Sequence, residues 1–140
     1  MIFRHETFIS FHLVDSAGVL FFGHVFTLAH EAYENFVCKQ LNYPWKEWFQ
    51  NKEWLLPIGH AEADYRSPLF AGQTCQINVR TGEIKNSSFA MHYQFIQNNI
   101  ECCSVKTVHV LCDPRTKRKR DIPASLRKIL LNEGDQPLRP

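Results

Sequence analysis

One long segment of helical periodicity is followed along the chain by strand-like segments, and this order constrains the fold more than any other feature. Apolar side chains recur at i, i+3 and i+4 from Val25 to Val37, which predicts a helix over about residues 23–41. Such a helix is roughly 28 Å long at about 1.5 Å per residue. Its apolar arc is wide, so we expect a sheet to wrap around it.

Strand patterns lie on both sides of this helix. Alternation of apolar and polar residues predicts one strand before it, over residues 7–14. Four more are predicted after it, separated by short turn-prone segments, at residues 55–65, 74–84, 89–97 and 101–112. Short connections make consecutive strands antiparallel, so the predicted fold class is α+β with one principal helix.

The chain after these strands contains a basic loop and a short closing helix. Pro123 at a first helical turn, followed by apolar residues at helical spacing, predicts the helix over residues 123–132. Loop and helix together occupy about residues 113–132, and residues 133–140 form a tail. No repeat, low-complexity segment or Gly/Ser linker divides the 140 residues, so we expect a single domain over residues 1–140.

Several classes of protein are disfavoured by the sequence. The uncharged stretch at residues 16–30 is too short to span a bilayer, and Arg4, His5 and Glu6 interrupt the apolar core that a signal peptide would need. The five cysteines are odd in number and show no CxxC spacing, which indicates a reducing compartment. We therefore expect a cytoplasmic protein without membrane insertion.

Asp15 is the first candidate for chemistry. It lies where the first predicted strand ends, and a glycine-bracketed apolar segment leads from it into the long helix. The start of a helix carries free N–H groups and the positive end of the helix dipole. A carboxylate near such donors supplies a base or nucleophile together with groups that stabilise an oxyanion. The alternative is that Asp15 only caps a turn, as Asp often does.

The helix itself carries a second group of candidates. His30-Glu31-Ala32-Tyr33-Glu34 lacks the second histidine of HExxH, so no metal site is predicted. Glu31 is a helix carboxylate that could act as an acid or base. His24 either stabilises the helix start or lines a site. No motif for a cofactor is present, and none is expected.

The formal charge of +2 conceals a strong asymmetry. Residues 1–64 hold 4 Lys/Arg and 8 Asp/Glu, whereas residues 65–140 hold 12 and 6. An anionic partner is therefore expected on surfaces built from the second part. Within this part, the basic run at residues 115–120 could instead be a solvated loop or a nucleic-acid contact. It lacks the interleaved aromatic residues that favour nucleic acid. The donors available for phosphate groups are Arg66, Arg80, Lys85, Ser87, Ser88, Arg115, Lys117 and Arg118.

A longer motif contains Asp15. The sequence DSAGVLFFGHV at residues 15–25, continued by HEAY at residues 30–33, resembles the signature of hotdog-fold acyl-CoA thioesterases of the 4-hydroxybenzoyl-CoA thioesterase family. Ser67-Pro68-Leu69 with Gly72 resembles a turn of the same family, and the likeness covers roughly residues 5–125. Within the family, the chain is most similar to the 1,4-dihydroxy-2-naphthoyl-CoA thioesterases of cyanobacteria, which serve phylloquinone (vitamin K1) synthesis.

The resemblance implies a fold and a set of roles. The fold would be an antiparallel sheet of five or six strands around one long central helix. Asp15 would attack the thioester carbonyl or activate a water, and the backbone N–H of Phe22 or Gly23 would hold the carbonyl oxygen. Phe21 and Phe22 would line the acyl pocket, with His24 and Glu31 as candidate helpers. Some bacterial relatives carry His where Phe22 stands, so catalysis here would depend more on Asp15.

The resemblance also implies partners. The substrate would be an acyl-CoA, whose phosphates would contact the basic second part of the chain, and the protein would be a homo-oligomer, either a dimer or a tetramer. The alternatives are a broader thioesterase acting on fatty acyl-CoA or acyl-carrier-protein, a hotdog dehydratase, and a non-enzymatic nucleic-acid-binding module.

Overall fold

The computed structural model describes residues 2–131, which form a five-stranded antiparallel sheet with a long helix across one face. The strand order is β1-β3-β4-β5-β2, and the α+β class predicted from the sequence is confirmed. The strands are β1 (Phe3–Phe8), β2 (Ile58–Tyr65), β3 (Thr74–Ile84), β4 (Ser88–Gln97) and β5 (Ile100–Val110), and the helices are α1 (His24–Asn35), α2 (Trp45–Phe49) and α3 (Ala124–Leu131).

The first strand begins and ends earlier than the sequence predicts. Residues 7–14 were expected to be a strand, but β1 ends at Phe8, because its partner β3 begins at Thr74, directly opposite. With no strand left to pair with, the chain turns into one 3₁₀ turn at Phe11–Leu13. Residues 7–14 do alternate between apolar and polar side chains, but a strand also needs a neighbouring strand for its backbone hydrogen bonds.

The long helix is confirmed. Helix α1 continues into a single π-helical segment, Phe36–Gln40, so helical backbone spans most of the predicted 23–41. Its apolar side packs on the inward face of the sheet, as periodicity predicts. The buried helix residues are Val25, Leu28, Ala29, Ala32 and Tyr33, and they share a core with Ile77, Val79, Met91, Tyr93, Phe95 and Val105 of the strands.

The later strands agree closely with prediction. Strand β3 has the predicted bounds, and β4 and β5 differ by one or two residues. Strand β2 is shorter than residues 55–65 because Leu55 makes only an isolated bridge to Cys112. Helix α2 was not predicted. The closing helix α3 begins one residue after the predicted start and reaches Leu131, the last described residue. The predicted helix end at residue 132 and the predicted tail, residues 133–140, lie outside the described residues.

The basic loop is a tight hairpin. Cys112 bridges Lys119, and the Asp113 N–H donates to the Arg118 carbonyl at 2.9 Å. We call residues 111–120 the basic hairpin. It follows the end of β5 and contacts the segment before β2, where Arg120 Nη1 donates to the Glu53 carbonyl at 2.9 Å. In the described part of the chain, no helix has the length and apolarity to cross a membrane.

Strand β2 forms an open edge of the sheet. It pairs with β5 on one side, and within residues 2–131 no strand pairs with its other side. Every residue of β2 except Ala63 is exposed. Unpaired strand edges are templates for pairing with another chain, so this edge is suited to assembly.

A polar network lies inside the core. The His109 ring stacks between Tyr33 and Phe89, with ring centroids 4.4 and 5.1 Å away. His109 Nε2 lies 2.8 Å from the Thr107 hydroxyl, which lies 3.0 Å from the Tyr93 hydroxyl. His109 Nδ1 has no hydrogen-bond partner in the described structure. Burial, with a smaller contribution from the charge of His30, lowers the pKa of His109 from 6.5 to about 3.

This shift predicts acid sensitivity. Between pH 6.5 and about 3 the unfolded chain binds a proton at residue 109 that the folded chain excludes. The free energy of unfolding should therefore fall as pH drops through this window, by up to about 1.4 kcal/mol per pH unit from this group. Urea unfolding of the wild type and of His109→Phe between pH 7 and 4 measures it. The variant should show the shallower dependence, and equal slopes would contradict the prediction.

Candidate active site

Asp15 lies in a short hairpin that precedes α1. Val14 bridges Leu20, and the Phe21 N–H donates to the Leu13 carbonyl at 3.0 Å. The loop between them closes because the Asp15 N–H donates to the Val19 carbonyl at 2.8 Å. Gly18 has φ +79°, a conformation that glycine adopts without steric cost. We call residues 13–21 the Asp15 hairpin.

The Asp15 carboxylate is exposed but held in place. Its Oδ1 accepts hydrogen bonds from the Ala17 N–H at 2.9 Å and the Val19 N–H at 3.3 Å. The turn-capping alternative considered for Asp15 is therefore correct as geometry. This capping role is compatible with a chemical role, because the other carboxylate oxygen, Oδ2, accepts no hydrogen bond from the described residues.

The helix start supplies two donors. The His24 N–H donates back to the Phe21 carbonyl at 2.9 Å, and Gly23 is the N-cap residue without a side-chain cap. Across residues 2–131, neither the Phe22 nor the Gly23 N–H has an acceptor. Two unsatisfied amides thus lie at the positive end of the α1 dipole, directly after the Asp15 hairpin.

Tyr65 is part of this region and was missed by the sequence analysis. Its hydroxyl donates to the Phe22 carbonyl at 2.6 Å, across 43 residues of sequence. Tyr65 is the last residue of β2, and only the tertiary structure brings it to the helix start. The one available signal was a tyrosine at the end of a predicted strand, directly before the Ser67-Pro68-Leu69 turn.

Aromatic and apolar side chains surround the two amides. The Phe21 and Phe22 rings lie 4.7 Å apart, and the Phe22 side chain is 64% exposed, unusual for a ring of this size. His24, the first residue of α1, packs edge-on against Phe21 at 5.7 Å. An apolar pocket of about 260 Å³ lies beside them, lined by Val19, Leu20, Tyr65, Arg66, Ser67, Pro68 and Leu69.

Glu31 is not brought to the helix start. It lies eight residues beyond Gly23, about 12 Å along the helix at 1.5 Å per residue. Its carboxylate is 3.0 Å from His5 Nε2 on β1. His30 and Glu34 are 4.0 Å apart on the same helix, yet the described residues contain no group of three His, Cys, Asp or Glu side chains that could hold a metal.

The basic candidates fall into three places. Arg66 lies beside the apolar pocket, where it pairs with Glu101 at 2.8 Å. Arg80 lies opposite His92 on the sheet face turned away from α1. Lys85, Ser87 and Ser88 lie at the β3–β4 turn, near the basic hairpin that holds Arg115, Lys117 and Arg118.

Most of these basic candidates are far from Asp15 in a single protomer. Along β2, Tyr65 pairs with Cys103 at the end near the Asp15 hairpin, whereas Ile58 pairs with His109 at the other end. Seven residues at about 3.3 Å each separate the two ends by about 23 Å. Arg127, which the sequence analysis did not select, holds the β3–β4 turn at that far end by donating to the Lys85 carbonyl at 2.7 Å.

Known proteins resemble this chain in sequence and fold. A model of the thioesterase-like superfamily matches residues 9–130. A 1,4-dihydroxy-2-naphthoyl-CoA hydrolase of Microcystis aeruginosa is 33% identical over 116 residues, 83% of each chain, and one of Crocosphaera subtropica is 32% identical over 130 residues, 91% of this chain and 94% of the relative.

Solved structures share the fold. A 1,4-dihydroxy-2-naphthoyl-CoA thioesterase from Synechocystis superimposes with a TM-score of 0.86 at 22% identity, covering 98% of this chain and all of the other. A gentisyl-coenzyme A thioesterase superimposes with a TM-score of 0.79 at 24% identity, covering 92% and 99%. At these identities the likeness establishes the arrangement of helix and sheet.

The contacts of Asp15 predict how its substitutions affect stability. Asp15→Asn keeps an Oδ1 that accepts from the Ala17 and Val19 amides, so its free energy of unfolding should stay within about 0.5 kcal/mol of wild type. Asp15→Ala loses both acceptor contacts and should be less stable by about 1 kcal/mol. Urea unfolding of the three proteins measures the difference, and equal losses in both variants would contradict the loop geometry.

Proposed function

The chain belongs to the thioesterase-like superfamily, and on that premise we propose that it hydrolyses 1,4-dihydroxy-2-naphthoyl-CoA to 1,4-dihydroxy-2-naphthoate and CoA. The reaction would serve phylloquinone synthesis, the role implied by the sequence resemblance. The observation that carries the proposal is the Asp15 carboxylate, held in a hairpin directly before two amides without acceptors at the start of α1. The names of the cyanobacterial relatives supply the acyl group.

Two routes of hydrolysis fit these groups. In one, an Asp15 oxygen attacks the thioester carbonyl, the C–S bond breaks to release CoA, and water cleaves the resulting mixed anhydride. In the other, Asp15 takes a proton from a water that attacks the same carbon, and the C–S bond then breaks as Asp15 returns this proton to the departing CoA sulfur. Both routes place negative charge on the carbonyl oxygen, which the Phe22 and Gly23 amides would stabilise.

The surroundings of the amides favour a flat aromatic acyl group. The exposed Phe21 and Phe22 rings offer faces for stacking, and the neighbouring pocket of about 260 Å³ is mainly apolar. His24, packed against Phe21, is a candidate helper at the edge of this surface. Glu31 is a weaker candidate, because it is paired with His5 along the helix. A thioesterase for fatty acyl-CoA or acyl-carrier-protein remains the alternative.

The test of the proposed chemistry is Asp15→Asn. This variant keeps the loop contacts and loses the charge, so kcat should fall at least about 100-fold while the free energy of unfolding stays within about 0.5 kcal/mol of wild type. Hydrolysis is followed by release of free CoA thiol. Near-normal turnover by the variant would move the catalytic role to another residue.

A substrate panel tests the acyl group in the same assay. Naphthoyl-CoA and benzoyl-CoA thioesters, including the 1,4-dihydroxy-2-naphthoyl ester, should be hydrolysed faster than medium-chain acyl-CoA and acyl-carrier-protein. The reverse order would favour the broader thioesterase. Thioester cleavage that depends on Asp15 would also leave a nucleic-acid-binding role without support.

We further propose that two copies pair through the open edge of β2. A twofold axis perpendicular to the sheet would join the two β2 strands antiparallel into one continuous sheet. Pairing would then bury the exposed Ile58 on this strand, together with the apolar Phe21 and Phe22 near its other end. The proposal includes a cytoplasmic location, which the five free cysteines support.

This pairing would bring basic residues that are far from Asp15 in their own protomer close to Asp15 of the other copy. In an antiparallel β2 pair, the Ile58 end of one copy lies beside the Tyr65 end of the other. The basic hairpin and the β3–β4 turn of one copy would therefore approach the Asp15 hairpin of the other and bind the CoA phosphates there. Arg80 faces away from α1, so it could join a CoA site only if dimers associate further into a tetramer.

Mixing two variants tests whether the basic hairpin acts between subunits. Arg115, Lys117 and Arg118 are replaced together by Glu in one variant, and Asp15 by Asn in the other. Each variant alone should hydrolyse the thioester slowly at low substrate concentration. Heterodimers formed by co-expression should contain one intact site each, and random pairing should restore about a quarter of wild-type activity.

Light scattering supplies the control by showing that the mixed and unmixed proteins have the same mass. Activity no higher than the mean of the two separate variants would place the hairpin and Asp15 of each site on one copy. A protein that is monomeric throughout would contradict the β2 pairing itself.

A further inference from the structure

We propose that Tyr65 is a positioning residue, which orients and polarises the Gly23 amide by donating a hydrogen bond to the Phe22 carbonyl. The inference rests on the proposed function, because it takes the Gly23 N–H to be a donor to the thioester oxyanion. It concerns a side chain on β2, outside the motif that contains Asp15 and outside the helix that carries the amide.

Peptide geometry connects the two groups. The Phe22 carbonyl and the Gly23 N–H belong to one planar trans peptide, so they point in opposite directions along nearly parallel lines. Fixing the direction of the carbonyl therefore fixes the direction of the N–H. The Tyr65 hydroxyl holds that carbonyl at 2.6 Å, a short distance even for an O–H donor.

The helix start needs such a restraint. Gly23 is conformationally permissive, and no side chain caps it. The backbone contact of the same carbonyl with the Val25 N–H is long, at 3.4 Å. Space around Gly23 is also limited, since a Cβ there would lie 3.0 Å from the Phe21 ring. Tyr65 supplies an anchor from the sheet, which is the rigid part of the fold.

The anchor also keeps its proton. Burial, with a smaller effect of nearby Cys103, raises the pKa of Tyr65 above its ordinary value of 10.0. The phenol is therefore a donor throughout the pH range in which the enzyme would work. A donor on the carbonyl withdraws charge from the peptide and strengthens its N–H as a donor, by about 10–30% per bond in a hydrogen-bonded chain.

The experiment compares Tyr65→Phe with the wild type. The variant keeps the ring and the lining of the pocket and loses only the hydroxyl. Removal of a direct oxyanion donor costs about 100- to 1,000-fold in kcat, so loss of its positioning should cost less, about tenfold. KM should stay within about twofold, and the loss should be the same for naphthoyl and benzoyl thioesters, because the oxyanion is common to both.

Tyr43→Phe is the matched control. Tyr43 is a partly buried tyrosine outside the proposed site, and its ring packs edge-on against Trp48 at 5.2 Å. Its kcat and KM should equal those of wild type. Tyr65→Met is a second test variant, which keeps an apolar side chain at the pocket and should lose kcat to the same degree.

A spectroscopic measurement reports on the peptide directly. The ¹⁵N and amide-proton resonances of Gly23 should move upfield in Tyr65→Phe and stay in place in Tyr43→Phe, because only the first variant removes a donor from the Phe22 carbonyl. This measurement does not depend on the substrate.

The outcomes separate the two proposals. A tenfold loss of kcat with a moved Gly23 resonance supports the positioning role. Unchanged kcat, a rise in KM alone, or an unmoved Gly23 resonance would overturn it, and so would an equal loss in Tyr43→Phe. A wild type that hydrolyses no aromatic thioester would instead reject the proposed function, whatever the Gly23 resonance shows.

Discussion

The burial of the apolar arc of α1 against the inward face of the sheet determines the positions of the helix start, the end of β2 and the Asp15 hairpin. Val25, Ala29 and Ala32 are fully buried, so the helix can neither rotate nor slide without opening its core. This fixed helix places its first residues beside the end of β2, where Tyr65 reaches the Phe22 carbonyl. The Asp15 hairpin is attached to the same end, and its carboxylate and the two amides are therefore positioned by one packed surface.

Local patterns predicted most of the fold, and the errors in the bounds of β1 and β2 share one cause. The periodicity of α1 and the alternation of β3 to β5 were sufficient, because each segment carries its own pattern. The bounds of β1 depend on where Thr74 begins its partner strand, and those of β2 on a register with β5. These are contacts between residues far apart in the sequence, and a pattern within one segment cannot predict them.

The same distinction divides the candidate site. Asp15, Phe22 and Gly23 lie within nine residues, so a local motif was enough to select them. The hydrogen bond of Tyr65 spans 43 residues, and the pairing of Glu31 with His5 spans 26. Neither could be predicted without the fold. The basic residues were selected by charge alone, and charge gives no position, so their distance from Asp15 emerged only from the strand register.

The oxyanion donors of the proposed site are main-chain amides, and this has a consequence for how such enzymes diverge. Any residue except proline supplies an N–H, so substitutions at the exposed position 22 can alter the shape and polarity of the acyl surface while the donors persist. The backbone conformation positions the groups that perform the chemistry, and the side chains select the substrate. A lineage can then exchange one acyl group for another in small steps, without passing through an inactive ancestor.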